Sequence, residues 1–381
     1  MASGGIVHHL YVHLPFCAHR CGYCDFVTAV GRLHDHSRYV DALLRELERE
    51  GHLLADRLET VFLGGGTPTF TEPASLRRLL QALPDAAEVS VEANPETVTA
   101  ALASMLRDAG VTRVSVGAQS FQPKLLEVLE RRAAPEDVRR AVHTLRDACF
   151  DNISLDLLYG IPGQSAADLE NDLAEALALS PEHLSFYELE ARPGTRFTHA
   201  WRDELERQAE AMEGYFEHVI ETLEHAGYRW YETANFCRIE PAGSVSTRAR
   251  DLRARHNLGY WRGRDYLGIG IGAVSTIGGV RWKNGASFGR YVAALAAGGE
   301  PPREIEVLSA ETKALERLML GLRLDEPLAL ADLEAAIDRD ALDRLVAGGF
   351  VGLSRDSVGE KLVLTRRGRV LGGAVTAELA A

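Results

Sequence analysis

The sequence predicts an α/β protein: a partial, TIM-like (β/α)6 barrel of parallel strands, followed by a small C-terminal α+β domain. Short apolar segments alternate with longer amphipathic segments over roughly the first half of the 381 residues, and such alternation is typical of a parallel sheet. A closed eight-unit barrel needs about 250 residues, so six units predict an open barrel. Glycine-rich and polar segments follow the strands, where such folds place their sites.

Six segments have the length and apolar character of buried strands: Ile6–Leu14, Thr60–Leu63, Glu88–Glu92, Arg113–Val116, Asn152–Leu158 and His183–Tyr187. The segments between them predict helices, because their apolar residues recur at helical spacing: Arg38–Ala55, Glu72–Leu83, Thr99–Ala109, Pro123–Arg131, Pro135–Ala148 and Ser165–Ala178. In the first of these helices the apolar positions are Tyr39, Leu43, Leu44 and Leu47. This order of elements supports six β–α units.

The second half of the chain predicts a connecting region and then a winged-helix pattern. The connecting region contains a charged helix, a strand, a basic irregular loop and a Gly/Ile-rich strand and turn: Thr198–Glu224, Tyr228–Phe236, Arg238–Arg255 and Tyr266–Thr276. The last 80 or so residues predict three helices, a β-hairpin and a final helix: Glu311–Leu320, Leu330–Ile337, Asp340–Ala347, Phe350–Ser354 with Lys361–Leu364, and Thr365 onward. We therefore expect domains at residues 1–200, 201–300 and 301–381.

The charge of the chain argues against binding to nucleic acid. The formal net charge is −13, and 46% of the residues are apolar, which is ordinary globular composition and not that of a disordered chain. From Arg303 to the end there are 11 Lys+Arg and 14 Asp+Glu, whereas a DNA-binding domain is expected to be basic. We expect a structural or partner-docking domain there, with a DNA-binding regulator as the alternative. Without a signal sequence or a transmembrane segment, the expected location is cytoplasmic.

Three of the five cysteines lie within eight residues. Cys17, Cys21 and Cys24 have the spacing C-x3-C-x2-C directly after the first strand. Three thiolates on one loop suit a [4Fe–4S] cluster with one open iron. A zinc site is the weaker alternative, because its fourth ligand would have to be His19 or Asp25 in the same loop. Cys149 and Cys237 are expected to be inert.

This cysteine spacing after the first strand of a partial barrel resembles the radical S-adenosylmethionine (SAM) superfamily. The resemblance extends to Gly64-Gly65-Gly66-Thr67-Pro68 and to Glu92-Ala93-Asn94-Pro95. It implies that the open iron chelates the amino and carboxylate groups of SAM, and that one electron from the cluster cleaves the sulfonium. Residues at matching positions are then expected to contact SAM or the cluster: Tyr11, Tyr23, Gly65, Gly66, Thr67, Glu92, Gln119, Arg131, Asp156 and Val274. No catalytic residue is assigned.

Each of these positions also has a plainer interpretation. A triple glycine is more often a plain turn. For Glu92 the alternative is a solvent-exposed acidic residue at the end of a strand. Arg131 fits an exposed helix position about as well, and Tyr11 fits a core position.

Within the superfamily, the motifs resemble the coproporphyrinogen dehydrogenase (HemN) and HemW families. The dehydrogenases have a further cysteine two positions after the third ligand, where this chain has Phe26. The segment His256-Asn257-Leu258-Gly259-Tyr260-Trp261 matches the HNxxYW motif of HemW. This implies a heme chaperone, with heme as a ligand and heme-accepting proteins and an electron donor as partners. His256 is a candidate heme ligand, with a hydrogen-bonded structural histidine as the alternative.

Enzymatic activity stays open at this point. Val274 stands where many HemW sequences have histidine, and a comparable apolar residue contacts SAM in the dehydrogenase. HemN-type chemistry is therefore the alternative function: oxidative decarboxylation of coproporphyrinogen III, or methylation or cyclopropanation of a small molecule. Phe26 disfavours the decarboxylation.

Overall fold

The computed structural model describes residues 5–190, 196–239, 250–357 and 359–380. Its first half contains eight strands: β1 His9–Leu14, β2 Phe16–Cys17, β3 Ala29–Val30, β4 Leu58–Gly65, β5 Ala86–Ala93, β6 Arg113–Gln119, β7 Ile153–Tyr159 and β8 His183–Glu188. The helices of this half are α1 His36–Glu50, α2 Pro73–Ala82, α3 Ala100–Asp108, α4 Pro123–Val128, α5 Pro135–Asp147 and α6 Ala166–Ala178. Short 3-10 turns occur at Leu33–Asp35, Gly51–Leu53, Pro68–Phe70 and Pro95–Thr97.

The strands β1, β4, β5, β6, β7 and β8 lie side by side in chain order and are all parallel. Consecutive strands hold apolar residues in register, as in Val12 beside Leu63 and Leu63 beside Val91. These side chains are fully buried under the helices, and burial of such a continuous apolar face drives the assembly. The predicted parallel α/β fold is confirmed. Because these strands are parallel, their carboxyl ends lie at the same end of the sheet.

The connecting region differs from its prediction in two places. The expected single helix is two helices, α7 Arg196–Gln208 and α8 Met212–His225, separated by a 3-10 turn at Ala209–Ala211. The expected single strand is a tight antiparallel hairpin of β9 Tyr228–Glu232 and β10 Asn235–Arg238. Strand β10 pairs antiparallel with β8 and so ends the parallel part of the sheet. Of the expected loop at 238–255, residues 240–249 lie outside the described residues.

The other edge of the sheet is closed by a strand from late in the chain. This part contains α9 Arg255–Trp261, β11 Leu267–Ile269, β12 Val274–Ile277, β13 Val280–Asn284, α10 Phe288–Ala296 and β14 Arg303–Val307. Strand β11 lies parallel to β1, which makes the order β11-β1-β4-β5-β6-β7-β8-β10-β9. Among the described residues β9 and β11 are the two edges, so the sheet is an open, partial barrel.

A buried glutamate holds β11 against the barrel. Glu46 of α1 is fully buried and accepts hydrogen bonds from the Gly270 backbone N–H (2.8 Å) and from Asn284 Nδ2 (2.7 Å). Arg303 Nη2 lies 3.2 Å from the same carboxylate and supplies the opposite charge. A buried carboxylate without such partners is costly, so this cluster ties residues 270–303 to the first helix.

The C-terminal part has a core of its own. It contains α11 Ala310–Gly321, β15 Leu328–Ala329, a 3-10 turn Leu330–Leu333, α12 Arg339–Ala347, β16 Val351–Arg355, β17 Glu360–Leu364, α13 Arg366–Val370 and α14 Gly372–Leu379. The strands form a sheet of order β15-β17-β16. Its core includes Leu318, Leu333, Leu362 and Leu379. The helix expected at Leu330–Ile337 is only that 3-10 turn, because Ile337 leaves it to bridge with Ala380.

No helix in the described ranges is long and apolar enough to cross a membrane.

Candidate functional site

The three clustered cysteines line one cavity at the carboxyl end of the sheet. This first cavity has a volume of about 450 Å3, and its wall includes Cys17, Cys21 and Cys24. Cys17 ends the short strand β2, and a turn in which the Cys24 N–H donates to the Cys21 carbonyl carries the other two. Burial raises the pKa of the Cys17 and Cys24 thiols, so thiolates there need a neighbouring positive charge such as a metal.

Among the described residues no three Cys, His, Asp or Glu side chains lie close enough together to hold one metal ion.

The glycines after β4 are required by their neighbours. A Cβ on Gly66 would lie 2.5 Å from the Pro15 carbonyl oxygen, and one on Gly65 would lie 2.5 Å from the His13 ring. Gly65 also has a φ of +111°, which side chains rarely adopt. Only glycine therefore lets β4 approach the cysteine loop so closely. Thr67, which follows, lies 3.5 Å from Cys17 Sγ through its hydroxyl.

Two carboxyl groups face the first cavity from β5 and β7, the strands on either side of β6. Glu92 Oε2 of β5 accepts a hydrogen bond from the Gly65 N–H at 3.1 Å. Asp156 Oδ2 of β7 accepts from the Ser115 hydroxyl at 2.8 Å. Burial, followed by the charge of Asp156, raises the pKa of Glu92 to about 7. Burial also raises the pKa of Asp156. Glu92 can therefore accept hydrogen bonds or a proton near neutral pH.

Arg131 lies against the cysteine loop. Its Nη2 donates to Asn94 Oδ1 and to the Gly117 carbonyl, both at 2.9 Å, and its Nη1 lies 3.8 Å from Cys21 Sγ. Its Nε is buried without a hydrogen-bond partner. A buried guanidinium with a free donor is suited to an anionic group, which would satisfy that donor.

The remaining expected contacts separate into two groups. Tyr23 and Gln119 line the first cavity, and Gln119 has a left-handed φ of +66° where the pairing of β6 with β7 shifts register. Tyr11 lines a second cavity instead, and its hydroxyl lies 3.0 Å from His13 Nδ1. Val274 begins β12, in the β12-β13-β14 sheet, and lines neither cavity.

The second cavity lies between the barrel and helix α11. Its volume is about 1120 Å3, and it shares Phe26, Gly65 and Glu92 with the first cavity. Aromatic rings of the barrel, of α9 and of the chain after it line one side: Tyr11, Phe62, Tyr260, Trp261 and Tyr266. Apolar side chains exposed in this structure line the other side, with exposures of 63% for Phe26, 36% for Leu315 and 51% for Met319. Large apolar groups left uncovered around a cavity indicate a binding site for an apolar ligand.

His256 forms part of the wall of this second cavity. It is 2% exposed, its ring stacks on Phe62 at a centroid distance of 5.0 Å, and its Nδ1 lies 2.8 Å from Thr60 Oγ1. Its Nε2 is buried and has no hydrogen-bond partner. Burial, with a smaller contribution from His9, lowers the pKa of His256 to about 3, so the imidazole is neutral. A neutral imidazole with a free nitrogen is a potential metal ligand.

Several residues of the two cavities were not singled out in the sequence. Asn94 belongs to the motif Glu92-Ala93-Asn94-Pro95, and this motif was the sequence signal for its contact with Arg131. No sequence signal indicated that the second cavity would be lined by Phe62, Tyr266 and Met319, because they come from segments that are distant in sequence.

The chain is similar to known proteins over nearly its whole length. A family model described as the radical SAM superfamily matches residues 11–176. A heme chaperone HemW of Mycobacterium tuberculosis is 37% identical over 382 residues, covering 97% of this chain and 94% of that protein. HemW of Bacillus subtilis is 34% identical, covering 96% and 97%, and HemW of Escherichia coli is 33% identical, covering 90% and 91%. The structure of coproporphyrinogen III oxidase (HemN) of Escherichia coli, described as a radical SAM enzyme, has a TM-score of 0.81 at 22% identity, covering 98% of this chain and 90% of that one.

Proposed function

Because this chain belongs to the HemW family of heme chaperones within the radical SAM superfamily, we propose that it binds heme in the second cavity and transfers it to heme-accepting proteins. The observation that carries this proposal is the cavity itself. Its 1120 Å3 exceed the roughly 300–1,000 Å3 of ordinary small-molecule sites, and its wall is mostly aromatic and apolar. A flat, mostly apolar macrocycle has the chemistry to cover the exposed Phe26, Leu315 and Met319.

The radical SAM superfamily uses a [4Fe–4S] cluster and SAM, and the residues of the first cavity fit both. Cys17, Cys21 and Cys24 would hold three irons as thiolates. The free Nε of Arg131 would meet an anionic group, and Glu92 and Asp156 would accept hydrogen bonds from an amine or from hydroxyls. When bound, a reduced cluster supplies one electron for cleavage of the SAM sulfonium.

In the second cavity, His256 is the residue that would supply an imidazole nitrogen to the heme iron. Its buried, unpartnered Nε2 is the kind of atom that a metal would satisfy. The rings of Phe62 and Tyr260 pack against the imidazole and restrict its orientation. An electron donor, heme-accepting proteins and a cytoplasmic location complete the proposal.

A heme titration tests this function. We expect ferric heme added to the purified protein to produce a saturable Soret band near one equivalent. His256→Ala should shift the Soret maximum and weaken binding, whereas His225→Ala should change neither. His225 is exposed at the end of α8 and lines neither cavity, which makes it a matched control. Absence of saturable binding by the unmodified protein would reject heme as the ligand.

A second candidate function is radical chemistry of HemN type on a small substrate. The shared wall of Phe26, Gly65 and Glu92 favours it, because a molecule in the second cavity would lie beside SAM in the first. Anaerobic incubation with dithionite and SAM should reveal any 5′-deoxyadenosine. We expect no decarboxylation of coproporphyrinogen III in the same assay, and formation of protoporphyrinogen would favour this second function.

A further inference from the structure

A threonine hydroxyl connects two buried histidines behind the second cavity. Thr60 Oγ1 of β4 lies 2.8 Å from His256 Nδ1 of α9 and 2.8 Å from His9 Nδ1 of β1. All three side chains are buried. Gly259 makes this contact possible, because a Cβ there would lie only 3.0 Å from the His9 ring. The Thr60 hydroxyl therefore hydrogen-bonds to two ring nitrogens but has only one proton to donate.

The number of protons restricts the tautomers of the two rings. A hydroxyl donates one hydrogen bond and can accept two, so at least one of the two Nδ1 atoms must carry a proton. If His9 alone carried it, Thr60 would donate to His256, and the proton of His256 would sit on Nε2. That Nε2 is buried without an acceptor, and an unsatisfied buried donor is costly.

The His9 end of this series of hydrogen bonds also favours the Nδ1–H tautomer of His256. His9 Nε2 lies 3.8 Å from the Glu59 carboxylate, which favours a proton on that nitrogen. His9 Nδ1 is then an acceptor and takes the Thr60 proton. Thr60 in turn accepts from His256 Nδ1–H, which leaves a lone pair on His256 Nε2.

We propose that Thr60 and His9 are positioning residues that hold His256 in its Nδ1–H tautomer, so that its Nε2 lone pair is ready to ligate a porphyrin-bound metal in the second cavity. This inference rests on the proposed heme function for its purpose, although the tautomer itself does not depend on it. Metal-binding histidines usually donate their other ring N–H to such a partner, which fixes the ring.

The tautomer can be measured without heme. Long-range 1H–15N correlation spectra of the histidine-labelled, heme-free protein distinguish Nδ1–H from Nε2–H, and we expect Nδ1–H at His256. In His9→Leu the Thr60 hydroxyl loses its acceptor and becomes free to donate to His256, so the population of the Nδ1–H tautomer should fall. Thr60→Ser keeps the hydroxyl and should keep Nδ1–H. An Nε2–H signal for His256 in the unmodified protein would overturn the proposal, whatever heme does.

Binding of two porphyrins tests the purpose of the arrangement. Thr60→Val should weaken ferric heme about 10- to 100-fold, the usual effect of removing such a partner. It should leave metal-free protoporphyrin IX unchanged, because that ligand has no metal to coordinate, and Thr60→Ser should restore heme affinity. Thr71→Val is the matched control, since the Thr71 hydroxyl is buried without a partner. Equal weakening of both porphyrins would contradict a positioning role, whereas no porphyrin binding by any form would instead reject the proposed function.

Discussion

At the residue scale, the first cavity depends on groups whose protonation is set by burial. Glu92 and Asp156 come from separate strands, and their carboxyl groups share one cavity. Burial disfavours the charged form of each, and the neighbouring Asp156 raises the pKa of Glu92 further, to about 7. The site therefore holds Glu92 near its midpoint at neutral pH, and the Gly65 N–H partly stabilises its charged form.

This raised pKa predicts a pH-dependent stability difference. Glu92 has its ordinary pKa of 4.5 in the unfolded chain, so its ionisation in the folded protein is unfavourable. The penalty is absent below pH 4.5, grows between pH 4.5 and 7 and is complete above pH 7. The difference in free energy of unfolding between Glu92→Gln and the unmodified cluster-free protein should therefore increase from pH 5 to pH 8, in favour of the variant. We expect an increase of about 2 kcal/mol, which is less than the full pKa shift implies because water in the cavity screens the carboxylate. Urea denaturation at both pH values measures this, and a constant difference would contradict the raised pKa.

The cysteine thiols predict a loss of iron on substitution. Cys21→Ser should reduce the iron and sulfide content of anaerobically purified protein severalfold and bleach its brown colour, because a serine hydroxyl is a poor cluster ligand. Cys149→Ser is the matched control, because Cys149 is exposed and lines neither cavity. A full complement of iron in Cys21→Ser would show that the ligands are other residues.

At the element scale, helix α11 has two apolar faces with different roles. Leu318 packs into the C-terminal core, as does Leu322 directly after the helix, whereas Leu315 and Met319 line the second cavity. A sequence pattern shows that a helix is apolar on more than one side but not what each side contacts. This helix thereby joins the small domain to the binding site.

The two faces of α11 predict opposite effects of substitution. Leu318→Ala should reduce the free energy of unfolding by about 2–5 kcal/mol, because it opens a cavity in a closed core. Leu315→Lys should change stability little and reduce heme affinity, since it places a charge against an apolar macrocycle. Urea denaturation and heme titration of both variants separate the outcomes. A Leu315→Lys protein with unchanged heme affinity would place the ligand elsewhere.

The hairpin of β9 and β10 is an element that the local sequence pattern does not predict. The segment Tyr228–Phe236 has the composition of one strand, yet it folds back at Thr233 and Ala234. The cause is the buried Glu232, which accepts from the Ala234 N–H at 2.9 Å and pairs with Arg323 Nε at 2.6 Å. Arg323 comes from 91 residues later in the chain, so no local pattern contains this turn.

At the scale of the whole molecule, the excess of acidic residues bears on the role of the C-terminal part from Arg303 onward. The chain has a net charge of −13, and the segment from Arg303 onward is itself acidic. Its helix α11 is turned toward the barrel and lines the second cavity. The arrangement favours a domain that completes a ligand site over one that reads DNA.

This arrangement predicts that the protein does not bind DNA. Electrophoretic mobility should be unchanged when duplex DNA is mixed with micromolar protein at about 50 mM salt, because binding to phosphates needs an excess of basic residues. A basic DNA-binding protein serves as the positive control. Binding that weakens steeply as salt increases would contradict the prediction and revive the regulator hypothesis.

The sequence by itself determined the parallel order of the six strands β1, β4, β5, β6, β7 and β8, because apolar periodicity and chain order dictate β–α units. It also determined the family, through short motifs such as the cysteine spacing that lie on single loops. Only the tertiary structure decided the seventh parallel strand, β11, and the second cavity. It alone brought Thr60 between His9 and His256. The physical reason is that these features depend on contacts between distant segments, such as Glu46 with Arg303, which are 257 residues apart. Local periodicity carries no information about such contacts.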